Sequence, residues 1–107
     1  MPTYKDVTDT QKIEKEIEKE LQETEKALDV LQLIKNLCWE TDTTPDPMSQ
    51  WLSLLSQHVP KVQKWKGSAD LIEIYPCGTT GRGRSDRLLF QVGATEVKVV
   101  QAYESEH

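Results

Sequence analysis

The spacing of apolar positions changes period near the middle of the chain. Ile13, Ile17, Leu21, Thr24, Leu28, Leu31, Ile34 and Cys38 recur at steps of three and four, which is one stripe of an α-helix. No Gly or Pro interrupts this stretch, and Glu, Lys, Gln and Leu, all good helix formers, dominate it. Thr8 and Gln11 fit a capping box at its start. The pattern predicts one long helix over 9–39, narrow-faced at first and wider after Ala27, where Val30, Leu33 and Leu37 join the stripe. At ~1.5 Å per residue it would run about 45 Å, against about 25–30 Å for the body of a domain this size. Part of the helix is therefore expected to overhang. Its Ile13, Ile17 and Leu21 stripe would meet a protein partner or a second copy of the chain.

After a polar break, Asp46 and Pro47 open a second helix over 47–58, with Met48, Trp51, Leu52 and Leu55 on one core-facing side. Pro60 ends it, and His58 reads as a C-terminal cap. Beyond Gly67 the period shortens, and strands are expected at 69–75, 87–92 and 96–103. In the last of these, alternation sets Val97, Val99 and Gln101 on one face and Lys98, Val100 and Ala102 on the other. Thr3 to Val7 is at most a poor strand. The expected architecture is a single α+β domain over 1–107. Two N-terminal helices, the first over 8–40 partly overhanging, pack on a three-stranded antiparallel sheet in the half 61–107.

A length of 107 residues suits one core and is too short for two. The net charge of −5 is unevenly spread. Residues 1–40 hold six Lys against ten Asp and Glu, whereas 61–92 hold six Lys and Arg against three acids, so an anionic ligand would favour the second half. No run of 18 apolar residues offers a membrane span, and the N-terminus lacks a signal-peptide core, so a cytoplasmic protein is expected. In that setting Cys38 and Cys77 read as free thiols. Neither they nor His58 and His107 have metal-ligand spacing, so no metal or cofactor is expected.

Three features could carry chemistry. The segment from Cys77 to Asp86 alternates Gly with Arg82 and Arg84, which would let backbone and guanidinium groups approach phosphates, or would simply form a mobile, solvated hairpin loop. It lacks the Gly-Lys-Ser/Thr ending of a Walker loop. Lys61, Lys64 and Lys66 surround Trp65, a basic stretch suited to nucleic acid or to plain solubility, with Trp65 itself stacking on a base or covering the edge of the core. Glu73 sits mid-strand, either solvated on an open sheet face or beside Arg87 as a general base.

Trp65-Lys66-Gly67-Ser68-Ala69-Asp70-Leu71-Ile72-Glu73-Ile74, then Arg87-Leu88-Leu89-Phe90-Gln91-Val92, then Val97 to Tyr103 resembles the C-terminal half of RelE/ParE-superfamily toxins. The preceding helices suit that family's helical hairpin packed on a sheet. For the RelE branch the resemblance implies ribosome-dependent mRNA cleavage, in which the ribose 2′-OH attacks the adjacent phosphate. By position it implies Glu73 as base, Arg87 as transition-state cation, Tyr103 as the last-strand aromatic and His107 near the terminal acid. Lys61, Lys64, Lys66, Arg82 and Arg84 would hold RNA, and an antitoxin would be the protein partner. Two other functions remain open: a ParE-like inhibitor of a protein such as gyrase, and a non-catalytic interaction module built on the long acidic helix.

Overall fold

A computed structural model describes residues 2–105. The chain runs β1 (Lys5–Asp6), α1 (Thr10–Glu20), α2 (Thr24–Glu40), α3 (Pro47–Ser56), β2 (Lys61–Lys64), β3 (Leu71–Tyr75), β4 (Asp86–Val92) and β5 (Glu96–Glu104). It is an α+β fold with a five-stranded mixed sheet in the order β1-β5-β4-β3-β2. The three strands expected from alternation are its antiparallel centre. β2 adds antiparallel to β3 at one edge, and β1 pairs parallel with β5 at the other. Neither edge strand shows an apolar alternation: β2 reads Lys-Val-Gln-Lys with only Val62 half-buried, and β1 is two residues long.

The helices cover one sheet face. Ile13 and Ile17 of α1, Ile34 of α2, and Trp51 and Leu55 of α3 are essentially fully buried against Ile72, Ile74, Leu88 and Phe90. Trp51 links the layers through edge-to-face contacts with Tyr4 and Phe90, at ring-centroid separations of 5.4 and 5.2 Å.

The single long helix expected over 9–39 is instead two helices, α1 and α2, broken at Leu21–Glu23. Nothing in the local sequence breaks it. The cause lies 63 and 64 residues away: the backbone N–H groups of Glu23 and Gln22 donate to the carboxylate of Asp86, at 2.8 and 3.0 Å. Asp86 is fully buried, so a charge taken out of water is met by the open N-terminus of α2, whose dipole favours an anion. Asp9, one residue beyond Thr8, is the N-cap of α1 and accepts from the Lys12 N–H. With the break, α1 folds back and both helices bury their apolar faces in the one core. Ile13, Ile17 and Leu21 are 1%, 0% and 7% exposed in their own core. They are therefore not the partner-binding or dimer stripe expected from the sequence, and the interaction module built on an overhanging helix loses its surface.

Candidate functional site

The sheet face opposite the helices carries no helix, and alternation turns Gln63, Glu73, Tyr75, Arg87 and Leu89 toward it. Tyr103 joins them through an irregularity. Simple alternation would put Tyr103 on the same side as Val97 and Val99, inside the core. Between Leu89 and Phe90 the pairing shifts, so that Phe90 faces Val99 but Leu89 faces Gln101. Val100 is the extra residue of this β-bulge, and every position after it changes side. Ala102 accordingly shares the core with Val97 and Val99, contrary to the alternation read from the sequence, and Tyr103 faces Arg87 on the open side.

Glu73 is the centre of the resulting cluster. It is 8% exposed. Its Oε1 accepts from Gln63 Nε2 at 2.8 Å and from the Tyr75 hydroxyl at 3.1 Å, while Oε2 accepts a very short hydrogen bond from the Tyr103 hydroxyl. Burial raises the pKa of Glu73. The hydrogen bonds from Tyr103, Gln63 and Tyr75, with the charge of Arg87 nearby, outweigh burial and hold the carboxyl below the usual carboxylate range. Burial and the same carboxylate push both tyrosine hydroxyls up, Tyr103 more than Tyr75. Three donors fill three of the roughly four lone-pair positions of a carboxylate, and one position on Oε2 is left for a further donor.

Arg87 stands beside this cluster but is not displayed to solvent. Its guanidinium lies over the Tyr75 ring, 3.7 Å from the centroid, and its Nη1 donates to the carbonyls of Arg84 and Asp86 at 2.7 and 2.8 Å. It is 5% exposed, with Nε buried and without a hydrogen-bond partner. A guanidinium held this way sets the potential at Glu73 and Tyr75 and is not free to fork onto a phosphate.

The exposed cations lie at the β2 edge. Lys64, Trp65 and Lys66, with Gln63 and Glu73, line a cleft of about 340 Å³. Trp65 is half-buried and packs edge-on against Tyr103, with ring centroids 6.0 Å apart, so it belongs to this wall and not to the core. Lys61 sits over the Tyr75 ring at 4.7 Å. Arg82 does not join. Arg82 forms an ion pair with Glu23 at 2.9 Å, and Gly83 packs against Cys77 and the α1–α2 junction, so the Gly/Arg segment is pinned on the helix side and is not a free phosphate loop. The structure thus brings together Glu73, Arg87, Tyr103 and Lys61, with Lys66 on the cleft wall, and leaves Arg82 apart. Lys64 borders the cleft but pairs with Ile72 and turns toward the helix side, where the Ser49 hydrogen bonds, and then the Lys64 charge, lower the pKa of Asp46. The Arg84 carbonyl adjoins Arg87. His107 lies outside the described residues.

Sequence reasoning missed Tyr75 and Gln63. Tyr75 was within reach, since it stands two residues beyond Glu73 on the same strand face. Gln63 was not, because β2 has no strand signature. Cys38 and Cys77 are free thiols. Among the described residues no three His, Cys, Asp or Glu side chains converge to hold a metal ion, and no helix is long and apolar enough to cross a membrane. Comparisons with family models, with curated proteins and with solved structures found no match to this chain.

Proposed function

We propose that the open sheet face is the active surface of a RelE/ParE-like toxin that cleaves mRNA, with Glu73 and Tyr103 as its proton-handling pair. The observation that carries this reading is the Tyr103 hydroxyl donating into a buried, ionised Glu73 beside a cleft edged by Lys64 and Lys66. In the step proposed, the ribose 2′-OH docks on the remaining position of Oε2 and gives its proton to Glu73 as its oxygen bonds to phosphorus. The bond from phosphorus to the 5′-oxygen breaks, and that oxygen takes the hydroxyl proton of Tyr103, which is replenished from Glu73. The products are a 2′,3′-cyclic phosphate and a 5′-hydroxyl, with no net change in the protein. Lys61 and Lys66 offset charge on the phosphorane-like transition state. Arg87 acts at one remove, keeping Glu73 ionised and Tyr75 in place.

A carboxylate stabilised by three donors is a weaker base than a free one. That saturation favours a second reading, in which the same fold inhibits a protein target such as gyrase and the cluster only shapes the face. Induced expression separates the two readings. The first predicts growth arrest with fragmented transcripts, both lost in Tyr103→Phe and Glu73→Gln. Arrest with intact transcripts and impaired DNA supercoiling would give the second. No arrest at all would remove both.

A further inference from the structure

One member of the Glu73 cluster has bonding capacity that the chain leaves unused. Gln63, in the edge strand β2, is exposed and lines the cleft of about 340 Å³ together with Trp65, Lys66 and Glu73. Its Nε2 carries two hydrogens, and both are committed: one goes to Glu73 Oε1 and the other to the Tyr75 hydroxyl, each at 2.8 Å. A reversed amide would set Oε1 against the ionised carboxylate, so charge fixes the orientation of the group. Among the described residues no donor reaches Gln63 Oε1. Toward the cleft Gln63 is therefore an acceptor only, held in place by its own two donated bonds.

A fixed acceptor beside a carboxylate discriminates among bases. Single-stranded RNA is read by stacking its bases on aromatic side chains and by hydrogen bonds to their edges. Trp65 stands two residues beyond Gln63 and so on the same side of the strand, lines the same cleft, and is steadied edge-on by Tyr103. It offers a stacking wall next to the Gln63 amide. Adenine and cytosine present an amino donor where uracil presents a carbonyl oxygen. The N–H of uracil lies between two carbonyl oxygens, which Gln63 Oε1 and the charge of Glu73 both repel.

We propose that Gln63 determines the base specificity of the open face: its amide oxygen accepts from the amino group of an adenine or cytosine stacked on Trp65, and uracil is disfavoured in the cleft. The substrate class, single-stranded RNA, rests on the cleavage reading above. Short 2′-deoxy oligomers separate the two, because they lack the attacking hydroxyl and report binding alone. Two pairs are compared with the full chain by fluorescence anisotropy: adenine against purine, which is adenine without its amino group, and cytosine against uracil. The amino-bearing member of each pair should bind about fivefold more tightly, the worth of one neutral hydrogen bond. Gln63→Lys keeps donors toward Glu73 and Tyr75 but has no acceptor. In it, and in Gln63→Leu, both ratios should fall to unity. Gln63 is exposed, so neither substitution opens the core. Trp65→Ala should weaken all four oligomers alike. Equal binding within each pair, ratios that persist in both Gln63 variants, or no binding at all would overturn the proposal, even if messages are cut. The expected ratios with messages left intact would overturn the cleavage reading and leave the base preference standing.

Discussion

Glu73 is a carboxylate that burial alone would drive toward its neutral form, and it stays ionised because three neutral donors converge on it. Removing one donor should show this. In Tyr103→Phe the Glu73 pKa should rise, followed by carbon-detected NMR of the side-chain carboxyl; an unchanged titration would mean that the short contact contributes nothing. The sign for stability follows from the depressed pKa. The contribution of Glu73 is fully present above the usual carboxylate range and is lost as pH falls through its lower folded value. Glu73→Gln should therefore flatten the acid side of the stability profile and cost about 1–3 kcal/mol at neutral pH through imperfectly matched hydrogen bonds. Tyr75 and Tyr103 are raised, so their contribution is present below the ordinary tyrosine range and is lost as pH climbs above it. Cleavage that depends on ionised Glu73 and protonated Tyr103 should accordingly hold a plateau across neutral pH.

Two elements are shaped by contacts far away in sequence. Asp86 terminates the backbone of α2 from the first residue of β4, so Asp86→Ala should cost about 2–3 kcal/mol in chemical denaturation, by loss of a buried charged cap. Asp86→Asn should cost less. Gly83 has φ +79°, and a Cβ there would lie 2.7 Å from Cys77 Sγ and 2.8 Å from Glu23 Cγ, so Gly83→Ala should cost about 1–3 kcal/mol through backbone strain and crowding. These same contacts mark where the sequence stops being legible. The 3.6-residue stripe from Ile13 to Cys38 is real in both helices, yet no local signal announces a break imposed by a carboxylate more than sixty residues later. β3, β4 and β5 could be read because apolar residues alternate there. β2 could not, because an exposed edge strand has one half-buried side chain and no alternation. The bulge at Val100 carried Tyr103 across the sheet, and a period-2 reading has no means of seeing it. Glu73, Arg87 and Tyr103 share one face, and Tyr103 does so only through a bulge that alternation cannot show.

At the scale of the whole molecule, the acidic first helix is part of the core and not an arm. Ile17→Asp should therefore destabilise the fold by about 3 kcal/mol or more, by burying an unpaired charge. Denaturation and sedimentation together test this: a stably folded variant that merely changes its association state would restore the helix as an interface. The charge distribution also has a consequence at this scale. In the proposed reading, RNA reaches a chain of net charge −5 beside Lys61 and Lys66, so binding should be weak, salt-sensitive and abolished by Lys61→Glu/Lys66→Glu.

The most direct measurement is product analysis in a reconstituted translation reaction containing the purified protein. Messages should be cut to leave 2′,3′-cyclic phosphate and 5′-hydroxyl ends, with cleavage falling at least a hundredfold in Tyr103→Phe and in Glu73→Gln while both variants remain folded. Intact messages with the wild-type protein, or cleavage that persists in both variants, would contradict the assignment of the open sheet face as the catalytic surface.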